Sequence, residues 1–288
     1  MGGVSKFILP LPNLTIFKQV SAALQHLPEN EFMRLPVFAY EVTGFPHAFD
    51  ENRDGGQRFL QLLTAMSNQT SESLAELEKA EQRHGLLNEF HLLKDDIMNY
   101  AAIRGLTALD LDGIENQMWR QACIEGVSWN VPLKEILRMP RICPAVGNQG
   151  LVVENSGIYS ILVVLLPKVP IICSSGQFAF AIWQLLRKLV AGGTTIYYSG
   201  DLDPEGLGMA QKLKNTFKDQ VQFLGMELGN FHLAKTDTHL SDSRLKKLQS
   251  FEDEQLAELG ELIRSEKQVA YQEGFLQELM EDIVREFK

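Results

Sequence analysis

The sequence contains few cysteines, with three in 288 residues, at positions 123, 143 and 173. Their spacing makes neither a C-x-x-C pair nor a zinc-ligand pattern, and a small odd number is unlike the framework of a disulfide-rich secreted domain. No apolar run approaches the roughly 20 residues that a membrane-spanning helix requires, and the first residues lack the basic and apolar regions of a signal peptide. These absences predict a cytoplasmic protein without a membrane partner.

Positive charge is also scarce. The 27 Lys and Arg residues are outnumbered by 37 Asp and Glu residues, and the formal net charge is −10. Because contacts to phosphate groups supply most non-specific affinity for nucleic acid, this balance argues against a strong free-standing nucleic-acid binder. It does not exclude chemistry on DNA, since a bound metal, a local basic patch or a partner protein could supply the positive field.

The chain is long enough for two domains, and its pattern changes within residues 132–150. This stretch holds three prolines and two glycines, which predicts an interdomain boundary. We therefore predict a mostly helical domain over residues 1–145 and an α/β domain over residues 146–288.

Apolar spacing in the first domain predicts helices over residues 14–27, 59–66, 71–87 and 88–106, and a short buried segment over residues 35–42. A turn-rich loop follows over residues 44–50. Its His47 and Asp50 allow two interpretations, a metal site or a loop ordered by side-chain hydrogen bonds. We favour the second, because Asp commonly stabilises turns in this way.

In the second domain, short apolar runs alternate with helical patterns, which predicts a parallel sheet with crossover helices. Their apolar character fits strands that are buried on both faces. The charged stretch over residues 241–288 is expected to be helical and to pack an apolar stripe on the core. The strands are expected near residues 151–153, 169–173, 194–198 and 221–226, and the stripe is Leu256, Leu259, Leu262 and Ile263.

Two carboxylates follow the third of these strands, one residue apart. Asp201 and Asp203 come after Gly200, and Pro204 stands where a helix would begin, with Glu205 in its first turn. Residues i and i+2 of a strand point the same way, about 6–7 Å apart, so both aspartates can face one point at the carboxyl edge of the sheet, where open α/β sheets place ligands. A hard divalent cation such as Mg²⁺ fits two converging carboxylates. The alternative is a plain turn in which Asp203 caps the helix.

Further polar residues follow the first and second strands. Glu154 ends the first strand, so three carboxylates converge if the first and third strands are neighbours. That set suits phosphoryl transfer, in which the aspartates hold Mg²⁺ and the glutamate moves a proton as general base or general acid. Ser174, Ser175 and Gly176 end the second strand and could bind a phosphate group. An ordinary strand-to-helix turn is an equal alternative for these three residues.

Two segments resemble the Toprim domain of topoisomerases, bacterial primases and some nucleases: V-V-E-N-S over residues 152–156 and Y-Y-S-G-D-L-D-P-E-G-L over residues 197–207. That family pairs a glutamate after its first strand with a D-x-D after its third. The resemblance implies that Glu154 is the catalytic glutamate and that Asp201 and Asp203 bind the metal, Mg²⁺ or Mn²⁺. It also implies that Glu154 and Glu205 contribute to the metal site.

A narrower resemblance extends from about residue 35 to the C-terminus. The chain resembles the Toprim-containing subunit of Wadjet-type anti-plasmid defence systems, which is related to the A subunit of topoisomerase VI. This implies a Mg²⁺-dependent endonuclease that cuts plasmid DNA delivered by a condensin-like SMC complex. The segments that carry it are L-P-V-F-A-Y-E-V-T-G-F-P-H-A-F-D (35–50), E-N-S (154–156), C-S-S-G-Q (173–177), G-D-L-D-P-E-G-L (200–207) and Y-Q-E (271–273).

The same resemblance implies several further features. The first domain would be winged-helix-like and would bind DNA or a partner. A homodimer would supply two active sites for two antiparallel DNA strands. Gln272 and Glu273 would be accessory site residues. Compared with those relatives the chain looks short at its N-terminus, and whether an arm or domain is missing or encoded elsewhere stays open.

The sequence departs from topoisomerase VI A subunits in its tyrosines. Tyr40 and Tyr100 precede the predicted boundary, and neither matches the nucleophilic tyrosine of those proteins, so we expect packing roles for both. Hydrolysis by water is therefore favoured over a covalent intermediate. The other hypotheses are another Toprim activity such as strand passage or primer synthesis, a non-catalytic DNA- or SMC-binding module, and a receiver-like phospho-acceptor, for which Lys235 is a poor match to the required lysine.

Overall fold

The computed structural model describes residues 14–67, 79–248 and 251–287. The chain divides into two compact units, Met1–Asp95 and Asp96–Lys288. This division lies well before the boundary predicted at residue 145. The physical reason is that strands within residues 100–132 are hydrogen-bonded into the same sheet as the strands that begin at residue 149.

The first unit is mainly helical in its described residues. Phe38, Phe49 and Phe59 lie at the centre of its core, with ring centroids between 4.7 and 6.1 Å apart. The winged-helix assignment of this unit stays a prediction. Its elements are α1 (Leu14–Gln25), β1 (Met33–Arg34), α2 (Leu35–Thr43), α3 (Asp54–Met66), α4 (Lys79–Glu89) and β2 (Leu92–Leu93), and the two short strands pair in parallel.

Two of the four helices predicted for this unit are confirmed over their described residues. Those over residues 14–27 and 59–66 correspond to α1 and α3. The helix predicted over residues 71–87 lies partly outside the described residues, and its end, from Lys79, is helical.

Residues 35–42, predicted as a short buried segment, form the helix α2. This helix buries Phe38 and leaves Tyr40 exposed. The loop that follows α2 is confirmed, and the Nδ1 atom of His47 lies 3.0 Å from the Oδ2 atom of Asp50. This hydrogen bond agrees with the interpretation that the pair orders the loop.

The prediction of a helix over residues 88–106 is wrong. Beyond the end of α4 lie β2, β3 (Tyr100–Arg104) and the first residue of β4 (Leu106–Leu109). In β3 the side chains of Ala101 and Ile103 are fully buried, and the strand forms hydrogen bonds to a strand on each side. Burial within the sheet outweighs the high helix propensity of its alanines.

A six-stranded mixed sheet forms the framework of the second unit. Its strands lie in the order β10-β9-β7-β8-β3-β5. The first four are parallel, and β3 is antiparallel to both of its neighbours. Strands β4 and β6 form a separate antiparallel pair. The bounds of the remaining strands are β5 (Trp129–Pro132), β6 (Arg141–Pro144), β7 (Gln149–Val153), β8 (Ile171–Cys173), β9 (Thr195–Ser199) and β10 (Val221–Phe223).

Helices connect the four parallel strands and complete the core. The four strands predicted from the sequence are confirmed as β7 to β10, and the fold is mixed α/β as expected. The C-terminal stripe buries Leu256, Leu259 and Ile263. None of the helices in the described residues is long and apolar enough to cross a membrane. Their bounds are α5 (Gln117–Ile124), α6 (Leu133–Arg138), α7 (Ser156–Leu165), α8 (Phe180–Ala191), α9 (Pro204–Phe217), α10 (Leu228–Ala234), α11 (Asp242–Leu245), α12 (Glu254–Glu266) and α13 (Leu276–Glu286).

The direction of the chain through the sheet reverses at β7. From β7 the chain passes through α7 to β8 on one side, and the later strands β9 and β10 lie on the other side of β7. At such a switch point the connections leave neighbouring strands in opposite directions and open a crevice at the carboxyl edge, where open α/β folds bind ligands. The fold therefore places its natural ligand site between the ends of β7 and β9.

Candidate active site

Glu154 lies in this crevice, directly after β7. The register pairs Val153 with Ser199, so Glu154 lies beside the loop that leaves β9. Its Oε2 atom accepts a hydrogen bond from the backbone N–H of Asp201 at 3.4 Å and lies 3.5 Å from the hydroxyl of the buried Tyr198. A side chain at Gly200 would prevent this arrangement, because its Cβ would lie 2.9 Å from that oxygen and 2.5 Å from the tyrosine hydroxyl.

Asp201 is held from the opposite direction by the C-terminal part of the chain. Leu202 and Ala270 exchange backbone hydrogen bonds of 2.9 and 3.2 Å, which brings the following turn to the site. There the N–H of Gln272 donates to the Oδ1 atom of Asp201 at 2.9 Å, and its side-chain amide donates to the Ser199 hydroxyl at 2.9 Å. Gln272 is fully buried, so it is a component of the site and not an exposed residue of the charged helix.

Asp203 and Glu205 are bound by protein groups. The Oδ1 atom of Asp203 accepts the N–H of Gly206 at 2.8 Å, which confirms the helix-capping interpretation, and its Oδ2 atom accepts from Nη2 of Arg244 at 2.6 Å. Glu205 accepts from the same Nη2 at 2.5 Å and from Nζ of Lys247 at 2.9 Å. The role of Asp203 and Glu205 as metal ligands stays a prediction.

The four carboxylates differ in their electrostatic surroundings. Burial, together with the smaller effect of the nearby charges of Asp201 and Asp203, raises the pKa of Glu154 from 4.5 to about 7. Burial likewise raises the pKa of Asp201 to about 6. Burial also opposes ionisation of Glu205, but the hydrogen bonds from Arg244 and Lys247 outweigh it and lower that pKa to about 2. Glu154 and Asp201 thus lack the compensating cation that the other pair possesses.

The oxygen atoms of this site fit a hard divalent cation on the side of Glu154 and Asp201. As the side chains stand, the described residues contain no group of three or more His, Cys, Asp or Glu that is arranged to hold a metal ion. However, the Oε1 atom of Gln272 and the hydroxyl of Ser174 are buried without hydrogen-bond partners. Two uncompensated carboxylates beside orphaned neutral oxygens are the donor types that Mg²⁺ and Mn²⁺ accept.

The loop that follows β8 lies beside Glu154. The N–H of Ser174 donates to the carbonyl of Val153 at 2.9 Å, and that of Gly176 donates to the carbonyl of Glu154 at 3.2 Å. These two backbone donors are already engaged, which favours the ordinary-turn interpretation for them. Ser175 has a positive φ of 53° and its hydroxyl contacts the thiol of Cys173. Any contact of this loop with phosphate stays a prediction.

Glu273 reaches the rim of the site through Asn155. The amide of Asn155 donates to Oε1 of Glu273 at 2.8 Å, and its side-chain oxygen caps α7 at the N–H of Gly157. The sequence predictions included Glu273 but missed Arg244 and Lys247. Nothing local in the sequence marks these two residues, because they follow Glu205 by about forty positions and are brought to it by tertiary packing.

Replacing Glu154 with glutamine should flatten the pH dependence of stability in the metal-free protein. The raised pKa means that the folded state binds the proton more tightly than the unfolded state, for which 4.5 is the reference value. This contribution to stability is therefore complete below pH 4.5 and is lost as the pH rises through 7. Urea unfolding in EDTA at about pH 5 and about pH 8 should show the wild type losing about 2 kcal/mol relative to the variant. Parallel pH profiles would contradict the buried, uncompensated environment of Glu154.

Two family models match the chain. One, described as protein of unknown function C-terminus (DUF2399), covers residues 129–283. The other, described as protein of unknown function N-terminus (DUF3323), covers residues 12–108. Neither description states an activity. No curated protein matches the sequence.

Proposed function

The chain belongs to the family described as protein of unknown function C-terminus (DUF2399), and on the geometry of its site we propose that it is a metal-dependent DNA endonuclease of the Toprim type. The observation that carries this proposal is the placement of Glu154 and Asp201 at the ends of adjacent parallel strands, at the switch point of the sheet. A glutamate after the first strand of the parallel set and a D-x-D after the third is the Toprim arrangement that the sequence resembles.

The chemistry follows from what these side chains can do. A divalent cation bound by Glu154 and Asp201 would neutralise charge on a phosphate group. Glu154 is placed for proton transfer, because only its Oε2 atom accepts hydrogen bonds from the described residues and its Oε1 atom is left to face a reacting water or hydroxyl. It would accept a proton from the attacking water or donate one to the leaving hydroxyl. No tyrosine is required for this reaction, so hydrolysis leaves free ends on the DNA.

The partners belong to the same proposal. The pairing of an N-terminal and a C-terminal family match in one chain is consistent with the Wadjet-type nuclease subunit. The net charge of −10 disfavours strong independent binding to DNA, so delivery of plasmid DNA by an SMC-like complex is part of the proposal. A homodimer would place one active site on each DNA strand.

The test is cleavage of supercoiled plasmid by the 288-residue chain in Mg²⁺ or Mn²⁺, with and without an SMC-like complex. We expect nicked and linear products that disappear in EDTA and in Asp201→Asn. The matched control is Asp219→Asn, an exposed aspartate beyond the far end of α9, which should cleave as the wild type does.

Other outcomes separate the alternatives. Cleavage that survives Asp201→Asn would refute the site, and a protein-linked DNA product would indicate a topoisomerase. Absence of cleavage with the complex present, together with retained binding to it, would favour the non-catalytic module.

A further inference from the structure

A guanidinium group already occupies one half of the acidic site. Nη2 of Arg244 bridges Asp203 and Glu205, at 2.6 and 2.5 Å, and its Nε atom donates to both oxygens of Glu205 at 3.3 and 3.2 Å. Lys247 adds a fourth contact with Glu205. With Oδ1 of Asp203 engaged by the N-terminus of α9, every carboxylate oxygen of this pair has a protein partner.

The other half of the site is open. Oε2 of Glu154 and Oδ1 of Asp201 each accept a backbone N–H. Their second oxygens, Oε1 of Glu154 and Oδ2 of Asp201, accept no hydrogen bond from the part of the chain that the structure describes. The four carboxylates are therefore divided into a pair with free oxygens and a pair bound by cationic side chains.

Resting on the function proposed above, we infer that the site takes a single divalent cation, between Glu154 and Asp201, and that the guanidinium of Arg244 stands permanently in the place of a second. Two-metal nucleases place their ions about 3.5–4 Å apart and share carboxylates between them. Here the carboxylates that a second ion would need, Asp203 and Glu205, are taken. Arg244 acts as a positioning residue, because it touches the carboxylates and not the reacting atoms.

Charge balance supports the same division. The four carboxylates carry four negative charges when ionised, and one divalent cation with Arg244 and Lys247 supplies four positive charges. A second divalent cation would have to expel an arginine that is always charged and held by several charge-assisted hydrogen bonds. Mg²⁺ also gives up its own water reluctantly, so this exchange is unfavourable.

The backbone around Arg244 holds it in place. It lies in α11, whose first turn is capped by the hydroxyl of Ser241 at 3.4 Å from the N–H of Arg244. Its side chain is 32% exposed, so removing it leaves two carboxylates that solvent ions can reach. The number of divalent cations bound by a variant without Arg244 therefore shows whether this arginine excludes a second ion.

The experiment counts Mn²⁺ ions bound to the full-length chain by equilibrium dialysis, and records the electron paramagnetic resonance spectrum of the bound ions. The wild type should bind one ion per chain with the spectrum of an isolated Mn²⁺. Arg244→Gln should bind a second ion close enough to broaden that spectrum by spin coupling. Asp201→Asn should lose the first ion. Arg285→Gln, which alters an exposed arginine paired with Asp282 on α13, is the matched control and should still bind one.

Two results would overturn the inference: a wild type that binds two coupled ions, or a folded Arg244→Gln that still binds one. The wild-type count decides even if the variant fails to fold. The inference and the proposed function fail in different ways. If the wild type cleaves plasmid and binds two ions, the inference is wrong and the proposed function stands. If the wild type binds one ion and Arg244→Gln binds two, but the wild type does not cleave DNA, the inference stands and the proposed function is wrong.

Discussion

Glu154→Gln is expected to reduce metal-dependent DNA cleavage by about a thousandfold or more. Glutamine has the same shape and can still accept the N–H of Asp201 that now bonds Oε2. It carries no negative charge for the cation and cannot exchange a proton with water. Positioned proton transfer alone contributes about 10²–10⁴ in rate, and loss of a metal-binding charge adds to this. Initial rates of plasmid nicking at saturating Mn²⁺ measure the effect.

The control for this variant is Glu261→Gln. Glu261 is 75% exposed and pairs with Arg264 one turn along α12, and exposed pairs of this kind contribute little. Its cleavage rate should match that of the wild type. A nicking rate of Glu154→Gln within tenfold of the wild-type rate would refute the catalytic role of Glu154, whether the site binds one metal ion or two.

Glu154→Gln should also stabilise the metal-free protein at high pH. The carboxylate that the proposed reaction needs therefore lowers the stability of the metal-free fold. A carboxylate that is buried without a cation favours its protonated form, and glutamine mimics that form at every pH. Burial opposes the ionisation of both carboxylates with free oxygens, Glu154 and Asp201, and also that of Asp203. A bound cation would remove that opposition.

The positions of Glu154 and Asp201 could be predicted from the sequence because the signals are local. A β-rich run that ends in Gly200 and precedes Pro204 fixes the strand end and the helix start. Short apolar runs indicate the other strands, because parallel strands that are buried on both faces lack polar residues. Neighbouring parallel strands then bring their carboxyl ends together without further information.

What could not be predicted depends on contacts between distant segments. Arg244 reaches the site through the packing of α11 and leaves no periodic signal in the sequence. Gln272 reaches it beside the Leu202–Ala270 bridge, and only the resemblance of the Y-Q-E segment predicted it. Strand β3 was missed because its Ala101 and Ala102 favour a helix in isolation and become a strand only when two partners cover it. The proline- and glycine-rich stretch over residues 132–150 predicts an interdomain boundary, although it contains α6 and β6 and lies inside the second unit.

The second large effect is expected from Gly206→Ala, at the third position of α9. A Cβ atom there would lie 2.1 Å from the backbone carbonyl oxygen of Asp201. Backbone cannot rotate away as a side chain can, so the loop from Asp201 to Asp203 must move. That movement would disturb the bonds of Asp201 with Glu154 and Gln272. We expect a loss of about 3 kcal/mol in unfolding free energy, and loss of Mn²⁺ binding with it.

Gly208→Ala, two residues along the same helix, is the matched control. Apart from its own helix backbone, no atom lies within 4 Å of its Cβ position, so the substitution should raise the unfolding free energy by about 0.5–1 kcal/mol through helix propensity alone. Urea unfolding and Mn²⁺ titration of both variants measure the contrast. Equal stabilities would show that Asp201 is not packed against α9. Opposite signs would show that the start of this helix fixes the loop from Asp201 to Asp203, and hence why the fold requires glycine at position 206 and merely tolerates it at position 208.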